Sequence, residues 1–361
     1  MPRTSEQKMT PKLNENVIGK LERSRKMTEG MTAVAWSPDG KWVTTGGNAL
    51  KVAVWDSHSL TVVKELDQDG RGGGRNNIAF SPDGRYVSSG LKIVTVWDTQ
   101  AWGVQKTLIA PHVTPTPQFV NIQSLAFSPD GKLLIVAYTG TTEVVIAYRL
   151  DDGKTLWSYE PAPTVGNPLL TTPAVFTPDG TAVVFGTGEQ RPGIDVDIER
   201  LARVLFLDAA SGALRKSIDG VHVDKPTALA ISRDGRWIAT GTSTGVVNQR
   251  RNHKTGLVST VENKDPIRVW DISTGKLVSE LSVLSRIWGM AFTADGRHLI
   301  ATRSDIQQHM TMGVWESSSG RPVQDLKVWP APMGLALSPD GSRLAATGNG
   351  QPSIFQLTAK K

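Results

Sequence analysis

Short apolar, β-branched runs of strand length alternate along this chain with tight clusters of Ser, Pro, Asp and Gly. That pattern predicts β-strands joined by hairpins. One phrase recurs seven times: AWSPDGKWVTTG (35–46), AFSPDGRYVSSG (79–90), AFSPDGKLLIVA (126–137), VFTPDGTAVVFG (175–186), AISRDGRWIATG (230–241), AFTADGRHLIAT (291–302) and ALSPDGSRLAAT (336–347). Its turn glycines, from Gly40 and Gly84 to Gly296 and Gly341, follow one another at intervals of 44 to 61 residues. The phrase has the chemistry of a tight turn: Pro presets φ, Asp bonds back to nearby backbone N–H groups, and Gly takes φ > 0. A second hairpin follows in most copies, as in VTVWDTQAW (94–102) and IRVWDISTG (267–275), and then another strand such as KLVSEL (276–281). Each copy therefore supplies four strands, a to d, and a repeat of this period predicts one repetitive architecture along the whole chain.

These repeats resemble the WD-repeat β-propeller family, and the likeness covers nearly all of residues 17–358. Trp-Asp itself survives at Trp55-Asp56, Trp97-Asp98 and Trp270-Asp271, with Trp315-Glu316 close behind, while Tyr148, Leu207 and Phe355 fill the Trp position elsewhere. The resemblance implies an all-β fold, a seven-bladed β-propeller of four-stranded antiparallel blades. The SPDG-rich style is similar to bacterial members of the family. Two departures stand out. The Gly-His dipeptide expected before strand a is absent throughout, and the Asp expected in the b–c turn is mostly absent. The hydrogen-bonded tetrad that staples many such blades is therefore not expected, and packing and strand pairing are left to hold the blades.

The seventh copy ends with strand c, at 353–357, and no strand d follows it. Ahead of the first copy lies an unclaimed segment, VIGKLERSRK (17–26), whose GKL echoes residues 275–277. It is read as strand d of the last blade, so that an N-terminal strand pairs with the C-terminal blade and closes the ring without open edges. The expected organisation is a flexible tail over 1–16, the propeller over 17–358 and a short tail over 359–361.

Composition agrees: 39% hydrophobic positions, 35 glycines and 21 prolines in 361 residues suit a globular protein with many turns. No apolar run approaches the roughly 20 residues of a membrane span, and MPRTSEQKMTPKLNEN lacks the apolar core of a secretory signal. The absence of cysteine excludes disulfides, thiolate zinc sites, thiol catalysis and iron–sulfur clusters, and fits a cytoplasmic location. The formal charge of +6 sits mainly at the ends: residues 1–30 hold seven Lys/Arg against four Glu, and Lys360 and Lys361 add two. Ring closure would gather these into one basic patch. A patch so local does not track phosphates along a face, so nucleic-acid binding through it is an alternative reading only.

Most conspicuous residues read as framework. Trp55, Trp97, Trp270 and Trp315 are expected to pack between blades, and Trp157 of DDGKTLWSYEP (151–161) likewise. Asp56, Asp98, Asp208 and Asp271 are expected to fix the c–d turns. Propeller geometry puts the d–a and b–c connections on one face, where the long loops fall: 67–77, 109–121, 160–172, 187–203, 243–266 and the shorter 303–310. Long loops in compact domains are commonly functional, so this face is the expected docking surface.

Its candidate partner-binding residues are Arg71, Arg75, Arg191, Arg250, Arg251 and Lys254, suited to an acidic peptide or a phosphate. Carboxylates such as Glu189, Asp195 and Glu262 share the same insertions, which is also the make-up of an ordinary solvated surface. The acidic run IDVDIE (194–199) lacks the glycine turn and distal Glu of an EF-hand loop. His112, His222, His253 and His309, with Asp224 and Asp305, form a secondary candidate, a metal or acid–base site at the channel mouth if they converge. No P-loop, GxSxG elbow or HExxH motif is present. GRGGGR (70–75) reads as a flexible loop. The expectation is a non-enzymatic scaffold, without metal or cofactor, that binds another protein or peptide through the long-loop face. The alternative is a hydrolase similar to propeller lactonases.

Overall fold

The computed structural model describes residues 11–20, 31–47, 51–67, 77–90, 93–109, 121–139, 144–161, 167–170, 172–190, 202–222, 226–242, 248–251, 258–261, 267–281, 283, 286–304, 310–327, 332–348 and 353–359. Among them all regular structure is strand, and no helix long and apolar enough to cross a membrane occurs. Seven antiparallel sheets stand as blades around an axis, each ordered a-b-c-d from the centre outward. Blade 1 is Met31–Trp36, Trp42–Gly47, Lys51–Asp56 and Val62–Asp67. Blades 2, 3, 5 and 6 repeat this order over 77–108, 121–159, 226–281 and 286–327.

Blades 4 and 7 depart from the rule. Strand b of blade 4, Ala182–Gln190, is long enough to pair both with Val175–Phe176 and with an added strand, Asn167–Leu170. Blade 7 takes Pro332–Leu337, Arg343–Gly348 and Ser353–Ala359 from the end of the chain and its fourth strand, Pro11–Lys20, from near the start. The two distant segments run antiparallel, with Val17 opposite Phe355 and Lys20 opposite Ser353. The strand begins at Pro11, ahead of the expected 17–26, and residues 21–26 lie outside the described residues.

The repeated turn works through a side chain that the Pro-Asp-Gly reading passes over. Ser37 Oγ donates to Asp39 Oδ1 at 2.6 Å and accepts the Trp42 amide at 2.8 Å, while Asp39 Oδ1 also accepts the Lys41 amide at 3.0 Å. The same Ser/Thr–Asp clamp recurs at Ser81–Asp83, Ser128–Asp130, Thr177–Asp179, Ser232–Asp234, Thr293–Asp295 and Ser338–Asp340. Gly40, at φ +69°, occupies the left-handed region that the turn demands. The turns also touch in a circle. The place a Cβ would take at Gly84 lies 3.7 Å from Pro38 Cδ, and at Gly40 it lies 3.9 Å from Pro339 Cδ, which joins the last turn to the first. On the same face of the ring, Asp56, Asp98, Asp208 and Asp271 accept backbone amides within their c–d turns, as expected.

Apolar side chains fill each gap between neighbouring blades, so the core is a ring of seven clusters rather than one mass. Strand c alternates its apolar residues between the two gaps it borders. In blade 1, Trp55 faces blade 7 with Val43 and Ala53, whereas Val52 and Val54 face blade 2. Trp55, Trp97, Trp270 and Trp315 are all buried, and so is Trp157, whose indole donates to Ala209 O at 2.9 Å across the gap. The first and last blades adjoin directly, since the Trp36 indole donates to Ala336 O at 3.0 Å and the Arg343 guanidinium lies 4.6 Å from the Trp36 ring centre.

Blade 5 overturns one expectation. Three side chains there do form a buried network: Trp270 Nε1–H donates to Thr240 Oγ1 at 3.1 Å, and His222 Nε2 sits 2.9 Å from the same hydroxyl. Arg268, placed 3.0 Å from His222 Nδ1, can only donate, so Nδ1 accepts and Nε2 carries the proton. Arg268 is itself almost fully buried, and its charge is met by Glu280 at 2.7 Å and the Val221 carbonyl at 2.8 Å. An isolated buried cation would cost several kcal/mol, and these partners are what make its position tolerable.

Candidate functional site

The axis of the ring is a channel lined by the seven inner strands. Toward the long-loop face it encloses about 340 Å³, bordered by Thr32, Asn77, Gln123, Ser124, Thr227 and Trp288 among apolar neighbours. No ionisable side chain lines this cavity among the described residues. Toward the turn face it opens to a wider recess of about 620 Å³, where Arg233 donates to Pro339 O at 3.2 Å.

The proposed loop face is more ordered in two blades than the sequence implied. The blade 4 insertion continues as β structure to Gln190, paired with Asn167–Leu170 so that Leu170 stands opposite Thr187. The 243–266 insertion of blade 5 contains a separate hairpin, Asn248–Arg251 with Val258–Val261. Arg250 lies opposite Ser259 and Arg251 opposite Val258, which places both candidate arginines on the first arm of that hairpin. By connectivity both projections leave from the ends of strands b and therefore share a face. Arg71, Arg75, Arg191 and Lys254 lie outside the described residues, as do His112, Asp224, His253, Asp305 and His309.

His222 is the one member of the histidine–aspartate group that is described. It is completely buried, and both ring nitrogens are within hydrogen-bond distance of protein groups, Thr240 and Arg268. Its role is to tie the d–a connection to strands b and c of blade 5. The signal was present in the sequence: Arg268 stands two residues before Trp270, where other c strands carry Ala53, Thr95, Ile146, Leu205 and Gly313. A lone Arg at an inward position calls for a buried acceptor. Among the described residues no three His, Asp or Glu side chains are grouped to hold a metal ion.

A second histidine matters to stability. His298 is buried between blades 6 and 7, and desolvation pushes its pKa below the usual value, against the pull of Asp295 and Glu316 and with the push of Arg297 and Arg321. Below pH ~6.5 the unfolded chain takes up a proton that the folded ring resists, so stability falls as pH drops from there toward the lowered folded value. His298→Tyr, the residue of blade 2 at this position, should flatten the thermal-midpoint profile between pH 7.5 and 5. An unchanged slope in the variant would assign that window to other groups. The turn aspartates act later: Asp340, held down to about 2 by Ser338 and Ser342, keeps its charge well below pH 3.8.

The family model for "WD domain, G-beta repeat" matches residues 19–56, the first copy of the repeat. Protein HIR1 of Mycosarcoma maydis is 30% identical over 116 residues, which is 32% of this chain and 11% of that relative. The chain therefore spans about a tenth of the curated relative it matches. With seven blades built on one repeated turn, Trp55, Trp97 and Trp270 buried between them and a family match on the first copy, the chain is similar to the WD-repeat β-propellers.

Proposed function

We propose that this propeller is a non-enzymatic scaffold whose long-loop face docks another protein or peptide. WD-repeat propellers generally bind other proteins, and fold alone does not choose a partner. The observation that carries the reading is the pair of β projections on blades 4 and 5, one an extension of the blade 4 sheet and the other a separate hairpin inserted after strand b of blade 5. A rigid ring holds such projections in fixed relation at little entropic cost on binding. Arg250 and Arg251 on the blade 5 hairpin suit an acidic peptide.

The test removes the hairpin and leaves the ring intact. Replacing 243–266 by a short Gly-Ser turn should keep the thermal midpoint, because among the described residues the hairpin pairs with none of the four strands of blade 5. It should also abolish retention of a specific partner in an affinity pull-down, as should Arg250→Glu with Arg251→Glu. An identical partner set in all three proteins would move the docking surface off this face.

A further inference from the structure

The residue that follows each a–b turn by two positions faces the next blade. Registers make the positions equivalent: Trp42 lies opposite Asp56, Tyr86 opposite Asp98, Leu133 opposite Arg149, Trp237 opposite Asp271 and His298 opposite Glu316. In blade 7 Arg343 holds the place. These large side chains plug the turn-face end of the gap. Trp42 packs edge-on against Trp102 with centroids 5.1 Å apart, and Tyr86 and Trp237 lie against the apolar clusters of their gaps.

Blade 4 has Ala182 there, opposite Asp208. Between blades 4 and 5 a cavity of about 350 Å³ opens at this point. Its walls are Ala182, Pro178, Phe206 and Ile272, and its rim carries Asp179, Asp234, Arg215 and Lys216. Phe206 replaces the Val54 or Val96 of other c strands, which turns one wall into an aromatic face without filling the space. The volume matches the lower end of small-ligand sites, roughly 300–1,000 Å³.

We infer that this gap receives an aromatic side chain of a partner, entering between blades 4 and 5 where the chain's own Trp42 and Trp237 sit in blades 1 and 5. The inference rests on the reading of the molecule as a protein-binding platform, but it puts a contact on the turn face, away from the long loops. Two observations select the occupant. The space is the one that indole and phenol rings fill elsewhere in the same ring. Lys216 Nζ, bonded to the carbonyls of Ile272 and Ser273, lies 5.7 Å from the Phe206 ring centre and flanks the cavity with a cation suited to an aromatic face.

In blades 1, 2 and 5 the plug is preceded by Lys41, Arg85 or Arg236, each about 5 Å from the ring that follows it. Blade 4 has Thr181 instead, and the cations beside its empty place are Arg215, paired with Asp208, and Lys216. These balance the Asp179 and Asp234 carboxylates at the rim, so the recognised element is the aromatic side chain itself.

The probe is N-acetyl-Trp-amide, titrated into the full chain and followed by methyl and amide NMR. Shifts at Ala182, Thr181 and Ile272 are expected, with a Kd of about 1 mM for a ligand of this size. N-acetyl-Leu-amide should bind at least about tenfold more weakly, since it lacks the ring that would meet Phe206 and the Lys216 ammonium. Ala182→Trp should plug the gap from within, abolish these shifts and keep or raise the thermal midpoint. Ala182→Leu, the choice of blade 3, does the same with less bulk. Absence of shifts in the wild type, binding that survives either plug, or a folded state lost in both variants would each overturn the assignment. None of these outcomes depends on the 243–266 hairpin, so failure here and failure of the loop-face reading are separately visible.

Discussion

Deleting residues 1–20 is expected to lower the unfolding free energy by about 5 kcal/mol, from roughly 1 kcal/mol net for each backbone hydrogen bond lost. The deletion removes the whole of Pro11–Lys20 and leaves Ser353–Ala359 as the outer edge of blade 7. Against a typical total of roughly 5–15 kcal/mol, a loss of that size takes the ring close to its unfolding threshold. The bare edge is a template for pairing with another chain, so aggregation should rise alongside. Thermal unfolding with light scattering reads both effects. An unchanged midpoint in the truncated protein would mean that the pairing of Val17 with Phe355 contributes nothing and that the direct contact between blades 7 and 1 alone holds the ring.

The fold was legible because its punctuation is local. Asp and Gly mark each a–b turn, with Pro ahead of them in five of the seven copies, and the apolar alternation on either side fixes which face of each strand is buried. The position of the N-terminal strand was legible only approximately, since the echo of GKL at 19–21 drew the reading toward Leu21 whereas pairing runs from Pro11 to Lys20. The Ser/Thr of the clamp was overlooked although it heads every copy, because Ser37 and its counterparts look like generic turn residues until their hydroxyls are seen bridging Asp and amide. The buried His222–Thr240–Trp270 network is assembled from residues far apart in sequence, and no single spacing announces it.

The candidate site was less legible for a related reason. Whether loop residues converge depends on side-chain directions that no repeat encodes, and the insertions are the segments where the repeat lapses. Even so, the repeat supplies its own control. Because six copies place a bulky residue two positions after the turn, the seventh with Ala182 is conspicuous once registers are aligned, although the substitution alone is bland. Reading deviations from an internal consensus therefore locates cavities that a search for catalytic motifs passes by.

Trp55→Ala is expected to cost about 3–5 kcal/mol, the range for deleting a buried aromatic side chain. Trp55 is 2% exposed and packs with Trp36, Val43, Ala53, Ala345 and Ile354 in the gap between blades 1 and 7. Its indole donates to Thr45 Oγ1 at 2.8 Å, so the truncation also removes the donor from a buried hydroxyl. Val104, 59% exposed on an outer strand, is the matched control, and Val104→Ala should stay within about 0.5 kcal/mol. Chemical denaturation of both variants gives the comparison. The informative step combines Trp55→Ala with the 1–20 deletion. If the gap between blades 1 and 7 and the outer strand of blade 7 support one another, the double variant should lose less than the sum of the two losses, since blade 7 is already loosened by either. Strict additivity would instead mean that the inner contact and the outer strand hold the ring independently.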